Sequence, residues 1–502
     1  MLKSILYLAS STAIGQGTGV LRSFALVQFL KPGDYGVLVV AQTILYLSPL
    51  LSLGTGETLV KNIPYYLGTK ESQKRRNLEA TVLGSNFLVA LTAIAVALCC
   101  GALGSFEWVR ANSVFIRITL LSVALYFVSG YYAIRCAAYA DFKTVSVIDG
   151  VRAVSSTACL LWGAWQWGLV GAFWGSLASE GIVCVAAVAL CTAKHGFVSP
   201  SFHCKPLFRA IAVGFPISIT WWIYMLQASV GRLSAASLLG RAATGFYGFG
   251  FSIASAFSTI PNSVGRVLYP KVSASLGAGD EGYIVKDAVL GPTMILSTVL
   301  PFFQMVVILA LPVLYAEMVP KYSPGLESAQ ILILSCYWIA LFRTGANYLI
   351  AINEQSFVLL CVVVSVLANA MFSLSLVLLG FGICGLAFGT FFATLVLGVL
   401  VWMRVLRRLE PDEHTRRWIF IGLCVPFMVA VCEMLFLYLM GARYARKDVG
   451  IYAIYAAGTV AFLVAVNLIV PSTRVELKKM LAFAGRVRLR ANLSSGSSLK
   501  GH

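Results

Sequence analysis

The stretch GQGTGVLRSFALVQFLKPGDYG, Gly15 to Gly36, decides how the chain is read. Residues 4–30 form one long apolar run, with Arg22 inside it and far from either end. The run stops at Lys31-Pro32-Gly33-Asp34, and Tyr35-Gly36 opens a second apolar run. Proline cannot continue a helix, and glycine permits a tight reversal. The pattern predicts an antiparallel pair of apolar helices with a cation buried in the first. An arginine at the centre of a span costs roughly 2.5–3.5 kcal/mol on insertion scales, so it faces water, a partner or a cavity.

The rest of the chain agrees with that opening. It has 502 residues, 59% of them hydrophobic and 12% charged. A soluble domain carries roughly twice that share of charge. Apolar runs long enough to cross a ~30 Å hydrocarbon core recur throughout. They are much longer than the roughly 10-residue alternating strands of a membrane barrel. The expectation is an all-α polytopic membrane protein. About fourteen spans are predicted: 4–30, 36–62, 79–103, 113–134, 146–167, 169–193, 210–239, 242–270, 288–316, 327–350, 356–379, 382–405, 418–440 and 449–470. The first lacks an A-x-A cleavage site and is too long for a signal peptide. The twelve cysteines are scattered, mostly through apolar runs and without a C-x-x-C pair, and read as small core residues.

A formal charge of +18 invites a nucleic-acid reading. Its placement argues against one. Lysines and arginines gather after the second, fourth, sixth, eighth and twelfth spans and in the tail, as at Lys70, Lys74, Arg75 and Arg76. The opposite loops are short and poor in both, apart from GARYARKD at 441–448. The positive-inside rule then puts both termini in the cytoplasm, with anionic lipid as a further attraction. The Ser-rich end ANLSSGSSLKGH reads as a disordered, basic tail.

The opening pattern recurs. VGRLSAASLLGRAATGFYGFGFS, 230–252, again places an arginine (Arg232) in an apolar helix, then a glycine-containing break, then an aromatic-glycine pair. The second copy is a few residues longer at the turn. The repeat predicts two six-helix lobes, 1–193 and 205–405, followed by two further helices over 418–470 and a tail over 471–502. Repeats of this kind place a cavity at their interface near mid-membrane.

These motifs carry a resemblance. FLKPGDYGVLVVAQTILYLSPLLSLGTGETLVKNIPYY (29–66), the 230–273 segment and VLANAMFSLSLVLLGFGICGLAFGTFFAT (366–394) resemble polysaccharide and O-antigen flippases. Those are the Wzx-type members of the multidrug/oligosaccharidyl-lipid/polysaccharide exporter superfamily. In the family's seventh helix an acid often precedes the arginine; here that position is Gly231. The resemblance implies movement of an undecaprenyl-diphosphate-linked oligosaccharide from the inner to the outer leaflet of a bacterial cytoplasmic membrane. The expected partners are that lipid-linked glycan, membrane lipids and a polysaccharide polymerase or export machinery, with no nucleic acid.

Three arginines suit such a substrate. Arg22 and Arg232 hold matching places in the repeat, and Arg343 lies midway along the tenth span. Guanidinium groups stay charged and offer paired donors to phosphate oxygens. The competing reading is pairing with acids or snorkelling to the interface, and for Arg152 and Arg135 an interfacial anchor is the expectation. Glu57 and Glu180 are acids within spans; each is either an ion-coupling group for a proton or sodium gradient or an arginine's partner. Trp221, Trp222 and Tyr224 in TWWIYM are candidates for stacking on sugar rings. WGAWQWG at 162–168 reads instead as an interfacial belt. The sequence shows no Walker A loop, nucleophile elbow, metal-ligand set or paired catalytic carboxylates, so neither an enzyme nor a bound cofactor is expected. Two alternatives differ in class. A cation-coupled drug or metabolite antiporter would want an acidic or aromatic cavity. A glycan polymerase or glycosyltransferase would want a large external loop. Cytoplasmic termini predict that a fluorescent reporter fused after residue 475 lights up in cells, whereas an alkaline phosphatase active at that point would reverse the topology.

Overall fold

The structure, a computed structural model, describes residues 2–99, 112–257, 283–409 and 412–439. Within these the chain is helical and contains no strand. Helix α1 (Leu2–Phe29) reverses within two residues into α2 (Pro32–Leu47). Pro32 opens α2 and Asp34 lies in its first turn, where a missing N–H costs nothing and a negative charge meets the positive helix end. The glycines here do not serve the reversal as the sequence suggests, because neither Gly33 nor Gly36 has a positive φ. Gly36 serves a close approach. A Cβ on it would fall 1.9 Å from the Arg241 carbonyl oxygen.

The second expected span is not one helix. After α2 come a 3-10 turn, Ser48–Ser52, and then Leu53 and Gly54 with φ of 48° and 79°. Helix α3 (Thr55–Gly68) starts only beyond this break. Pro49, which lacks an N–H and crowds the preceding turn, accounts for the interruption. Helices α4 (Ser72–Cys99) and α5 (Ser113–Ala138) follow, then α6 (Phe142–His195). Helix α6 bends at Trp167 and Gly168, the latter at φ 57° and ψ −134°, so it forms two legs as the sequence predicts. The legs touch backbone to backbone: a Cβ on Gly163 would fall 2.1 Å from the Gly171 carbonyl oxygen. Trp162, Trp165 and Trp167 are exposed around this bend.

Helix α7 (Cys204–Ser234) passes through a π-helical turn, Ala235–Leu239, into α8 (Gly240–Ala256), and Gly240 makes the corner at φ 86°. That turn takes up the extra residues of the second repeat. Helices α9 (Tyr283–Met318), α10 (Leu326–Ala351), α11 (Gln355–Leu378), α12 (Gly382–Leu409) and α13 (Glu413–Leu439) complete the described chain. Ten stretches of the described residues are long and apolar enough to cross a membrane, and 142–195 and 204–256 each hold two legs. The chain is an all-α multi-pass membrane protein. The expected helix over 449–470, the tail over 471–502 and the eighth span beyond Phe257 lie outside the described residues.

The helices cluster into two compact units. The first holds Met1–Thr259, Tyr315–Leu332 and Gln355–Ala393. Its core includes Leu59, Ile63, Val82, Tyr131 and Val183 on helices α3 to α6. At one end of that core Arg135 and Glu79, each 1% exposed, form an ion pair of 3.0 Å. Arg135 also donates to the carbonyls of His195 and Gly196, which closes the end of α6. Tyr139 donates to the second Glu79 oxygen. The expected anchor is therefore a fully buried tie between helices. Beside it, between the spans, Asp141 caps α6. Burial raises its carboxyl pKa, but hydrogen bonds from Lys194 and Thr144 outweigh this and bring it down to about 2.

The second unit holds Ile260–Leu314, Ile333–Glu354 and Thr394–His502. In it Trp402 Nε1 donates to Leu341 at 2.7 Å, and Glu354 accepts from Arg404 and Arg408. Tyr337 on α10 donates to the Leu423 carbonyl and stacks on Phe427, which seats α13. Removing one partner of a buried ion pair strands the other charge and costs about 3–5 kcal/mol. Glu79→Ala should therefore cause a large drop in unfolding temperature in detergent, whereas replacing the exposed Arg76 should leave it unchanged.

Candidate functional site

Four arginines of the first unit fall into two sets. Arg135 and Arg152 are neutralised. Arg152 Nη1 donates to both oxygens of Glu180 at 2.8 Å, and its Nη2 donates to Ser129 at 3.1 Å. Its guanidinium carbon also lies 5.2 Å from the Tyr126 ring centroid. Arg152 is thus an internal salt-bridge partner rather than an interfacial anchor. Glu180, the second candidate for ion coupling, is its mate and is buried.

Arg22 and Arg232 are not neutralised by a carboxylate among the described residues. Arg22, on the last two turns of α1, donates from Nη1 to Ser156 Oγ on α6 at 2.8 Å. Its Nε is buried without a hydrogen-bond partner. Arg232, near the end of α7, donates from Nη2 to Ser229 Oγ at 3.2 Å and to the Ala228 carbonyl at 3.4 Å. Its guanidinium carbon lies 5.3 Å from the ring centroid of Tyr46 on α2 and 4.6 Å from that of Phe251 on α8. Both arginines are partly buried and both sit in the first unit. Arg343 is partly buried midway along α10 and belongs to the second unit.

The helices that flank these cations are held by glycine contacts. A Cβ on Gly245 of α8 would fall 2.0 Å from the Pro32 carbonyl oxygen, and one on Gly248 would fall 2.4 Å from Val39 Cγ2. The two repeat turns therefore interlock, Pro32 and Gly36 against Arg241 and Gly245. Elsewhere in the same unit, Gly54 and Gly214 leave no room for a Cβ against each other's backbone, and Thr58 donates to the Ala210 carbonyl at 2.6 Å.

Glu57 is exposed in the first turn of α3 and makes no ion pair among the described residues. In TWWIYM the residues part company. Trp222 and Tyr224 are buried, with Trp222 edge-on to Phe215, while Trp221 keeps 43% of its surface exposed. Trp221 is the ring of the three that is open to a ligand. Two further features carry little signal in the sequence. One is the pair of rings beside Arg232, for which the missing acid at Gly231 is the available hint. The other is a small uncharged cavity in the first unit, lined by Gln42, Thr119, Ser122 and Ser176 together with Leu38, Leu45 and Phe173. Nothing in the spacing of those residues marks them out. No group of three His, Cys, Asp or Glu side chains able to hold a metal occurs among the described residues.

Membrane-crossing helices with embedded arginines, joined through interlocked repeat turns, define a polytopic helical membrane protein of internal-repeat type. The chain belongs to the polysaccharide biosynthesis protein family, whose model matches residues 1–275. The resemblance carried by the repeat motifs is thereby borne out. No curated protein sequence matches the chain. Its fold is similar to that of the lipid II flippase MurJ in an inward closed conformation. The TM-score is 0.67 at 14% identity, over 95% of this chain and 100% of that one. A multidrug resistance MATE family transporter of the MOP superfamily, inward-facing, gives 0.66 at 13% identity over 78% and 95% of the two chains. A MOP superfamily transporter from Pyrococcus furiosus gives 0.52 at 14% identity over 81% and 95%.

If Glu180 serves Arg152 and not an ion, Glu180→Gln should lower the unfolding temperature. The exchanged pair Arg152→Glu with Glu180→Arg should recover most of that loss and support export; an exchanged pair that is stable yet inert would assign Glu180 a role of its own.

Proposed function

We propose that the chain is a flippase for lipid-linked oligosaccharides, carrying undecaprenyl-diphosphate-linked glycan units from the inner to the outer leaflet of the bacterial cytoplasmic membrane. One observation carries the reading. Arg22 and Arg232 occupy matching repeat positions inside spans, and neither has a carboxylate partner among the described residues, while Arg135 and Arg152 in the same unit each have one. A charge retained in a span without neutralisation is costly, and such charges mark substrate pathways. Two permanent cations with donor edges to spare suit a diphosphate. They do not suit a cationic drug, so the antiporter reading is disfavoured. The family supports a role in polysaccharide formation, and the names of the structural neighbours support lipid and solute transport.

In this reading the polyprenyl chain stays in the bilayer while the diphosphate meets the arginines. The repeat lobes, 1–193 and 205–405, rock to expose the cavity to each side in turn. Both termini are cytoplasmic, in keeping with the basic loops. Transport needs no covalent step. Arg343 is a third candidate cation, and Trp221 a ring on which a sugar can stack. Coupling to a proton or sodium gradient falls to Glu57, the exposed acid that no arginine among the described residues neutralises. A polymerase or export complex takes the product.

The test is export by arginine variants in cells lacking the native gene. Arg22→Ala should abolish export at normal membrane levels. Arg22→Lys should rescue in part, because a point charge lacks the bidentate fork. Normal export by Arg22→Ala would remove Arg22 from the site.

A further inference from the structure

Arg232 is stabilised in a different way from Arg152 and Arg135. Those two also lie near aromatic faces, but each has a glutamate as well. Arg232 has Tyr46 and Phe251 and, among the described residues, no acid. The residue before it, Gly231, leaves no space for one: a Cβ there would fall 2.0 Å from the Tyr247 hydroxyl. That hydroxyl is itself held 3.0 Å from Thr390 Oγ1. The position is filled from the neighbouring helix by an uncharged group, so an acid cannot stand beside Arg232 unless Tyr247 moves.

The two kinds of support differ in what they leave behind. A carboxylate cancels the charge and occupies the N–H edges that a phosphate would use. An aromatic face attracts the cation through its quadrupole and leaves the net charge in place. It also accepts no conventional hydrogen bond through an oxygen, so it does not take up the guanidinium's N–H groups in the way a carboxylate does. Arg232 uses Nη2 for two contacts with its own helix, its Nε is buried without a partner, and no described residue accepts from its Nη1, which is the edge left open. Tyr46 comes from α2 and Phe251 from α8, the two helices whose glycines interlock, so both rings rest on tightly packed backbone.

We propose that Tyr46 and Phe251 are positioning residues that hold Arg232 oriented inside the span without cancelling its charge, in place of a carboxylate, so that its free N–H edge binds the diphosphate of the lipid-linked substrate. This rests on the flippase reading and adds to it the means by which one cation is held ready.

The experiment uses the full chain in nanodiscs, with undecaprenyl diphosphate as the probe and its affinity measured by native mass spectrometry. Tyr46→Phe keeps the face and should bind within about twofold of wild type. Tyr46→Leu should weaken binding by about five- to thirtyfold, the range a desolvated cation–π contact supports. Phe251→Leu repeats the test from a different helix, should either variant fold poorly. The deciding arm is the double variant. In an Arg232→Gln background, Tyr46→Leu should cause no further loss, because the ring acts only through the arginine. An equal loss in that background, or a loss in Tyr46→Phe as large as in Tyr46→Leu, would overturn the proposal. Wild-type affinity in Arg232→Gln alone would overturn it from the other side, and would count against the flippase reading at that residue. Tight binding through Arg232 with no dependence on either ring would leave that reading standing and sink this one.

Discussion

A guanidinium cannot shed its proton in a protein, and hydrocarbon cannot solvate it. Every arginine inside a span must therefore be compensated by something the chain itself supplies. Two of them are met by glutamate, Arg135 by Glu79 and Arg152 by Glu180, and Arg404 near the end of α12 is met by Glu354. Each pair joins elements distant in sequence, so the attraction holds helices together. Truncating one partner of such a tie is costly because the other charge stays behind. Arg22 and Arg232 have, among the described residues, only hydroxyls, carbonyls and rings. Weak neutral contacts are enough to hold a cation in place and too little to cancel it.

Glycine supplies the second constraint. Between helices surrounded by lipid the hydrophobic drive is absent, and close backbone approach replaces it. The contacts of Gly36 with Arg241, of Gly245 with Pro32 and of Gly163 with Gly171 are approaches that a side chain would prevent. They fix the helices against which Arg22 and Arg232 rest. Arg22 on α1 reaches the first leg of α6, whose two legs are pinned at Gly163 and Gly171. Arg232 on α7 is flanked by rings from α2 and α8, which are pinned at Gly36 and Gly245. The small residues and the charged ones are parts of one arrangement.

Much of this is legible in the sequence, because hydrocarbon leaves the chain few choices. Span length, the bend at Trp167 and Gly168, and the repeat of an arginine followed by an aromatic-glycine turn are all one-dimensional signals. The break at Ser48–Gly54 escapes a hydropathy reading because the apolar run continues through it, and hydropathy does not register a proline that interrupts hydrogen bonding. The role of Gly36 is hidden for a related reason. A glycine needed for close approach looks the same in sequence as one needed for a turn. Whether an arginine is paired is invisible for a different cause. Glu180 lies 28 residues from Arg152 and Glu79 lies 56 from Arg135, so partnership is decided by which helices meet. That is why Arg152 reads as an anchor in sequence and is the partner of a buried glutamate in the fold.

The two matched arginines have also diverged in a way that bears on release. Arg22 leans on one serine hydroxyl, and Arg232 on two rings and its own helix. If either had an internal carboxylate, a departing anion would be replaced at once by that acid, and release would be favoured at the expense of capture. In the flippase reading, an arginine without one keeps its charge for the substrate, and something else must stand in when the anion leaves. Water is one candidate. The other is an acid that no arginine has already neutralised. Of the two candidate coupling acids, Glu57 meets that condition among the described residues and Glu180 does not. Glu57 lies on the first turn of α3, just beyond the break at Gly54, and is exposed there, whereas Glu180 is buried against Arg152. The acids thus divide as the arginines do: Glu79 and Glu180 are locked to Arg135 and Arg152, while Glu57, Arg22 and Arg232 meet no opposite charge among the described residues.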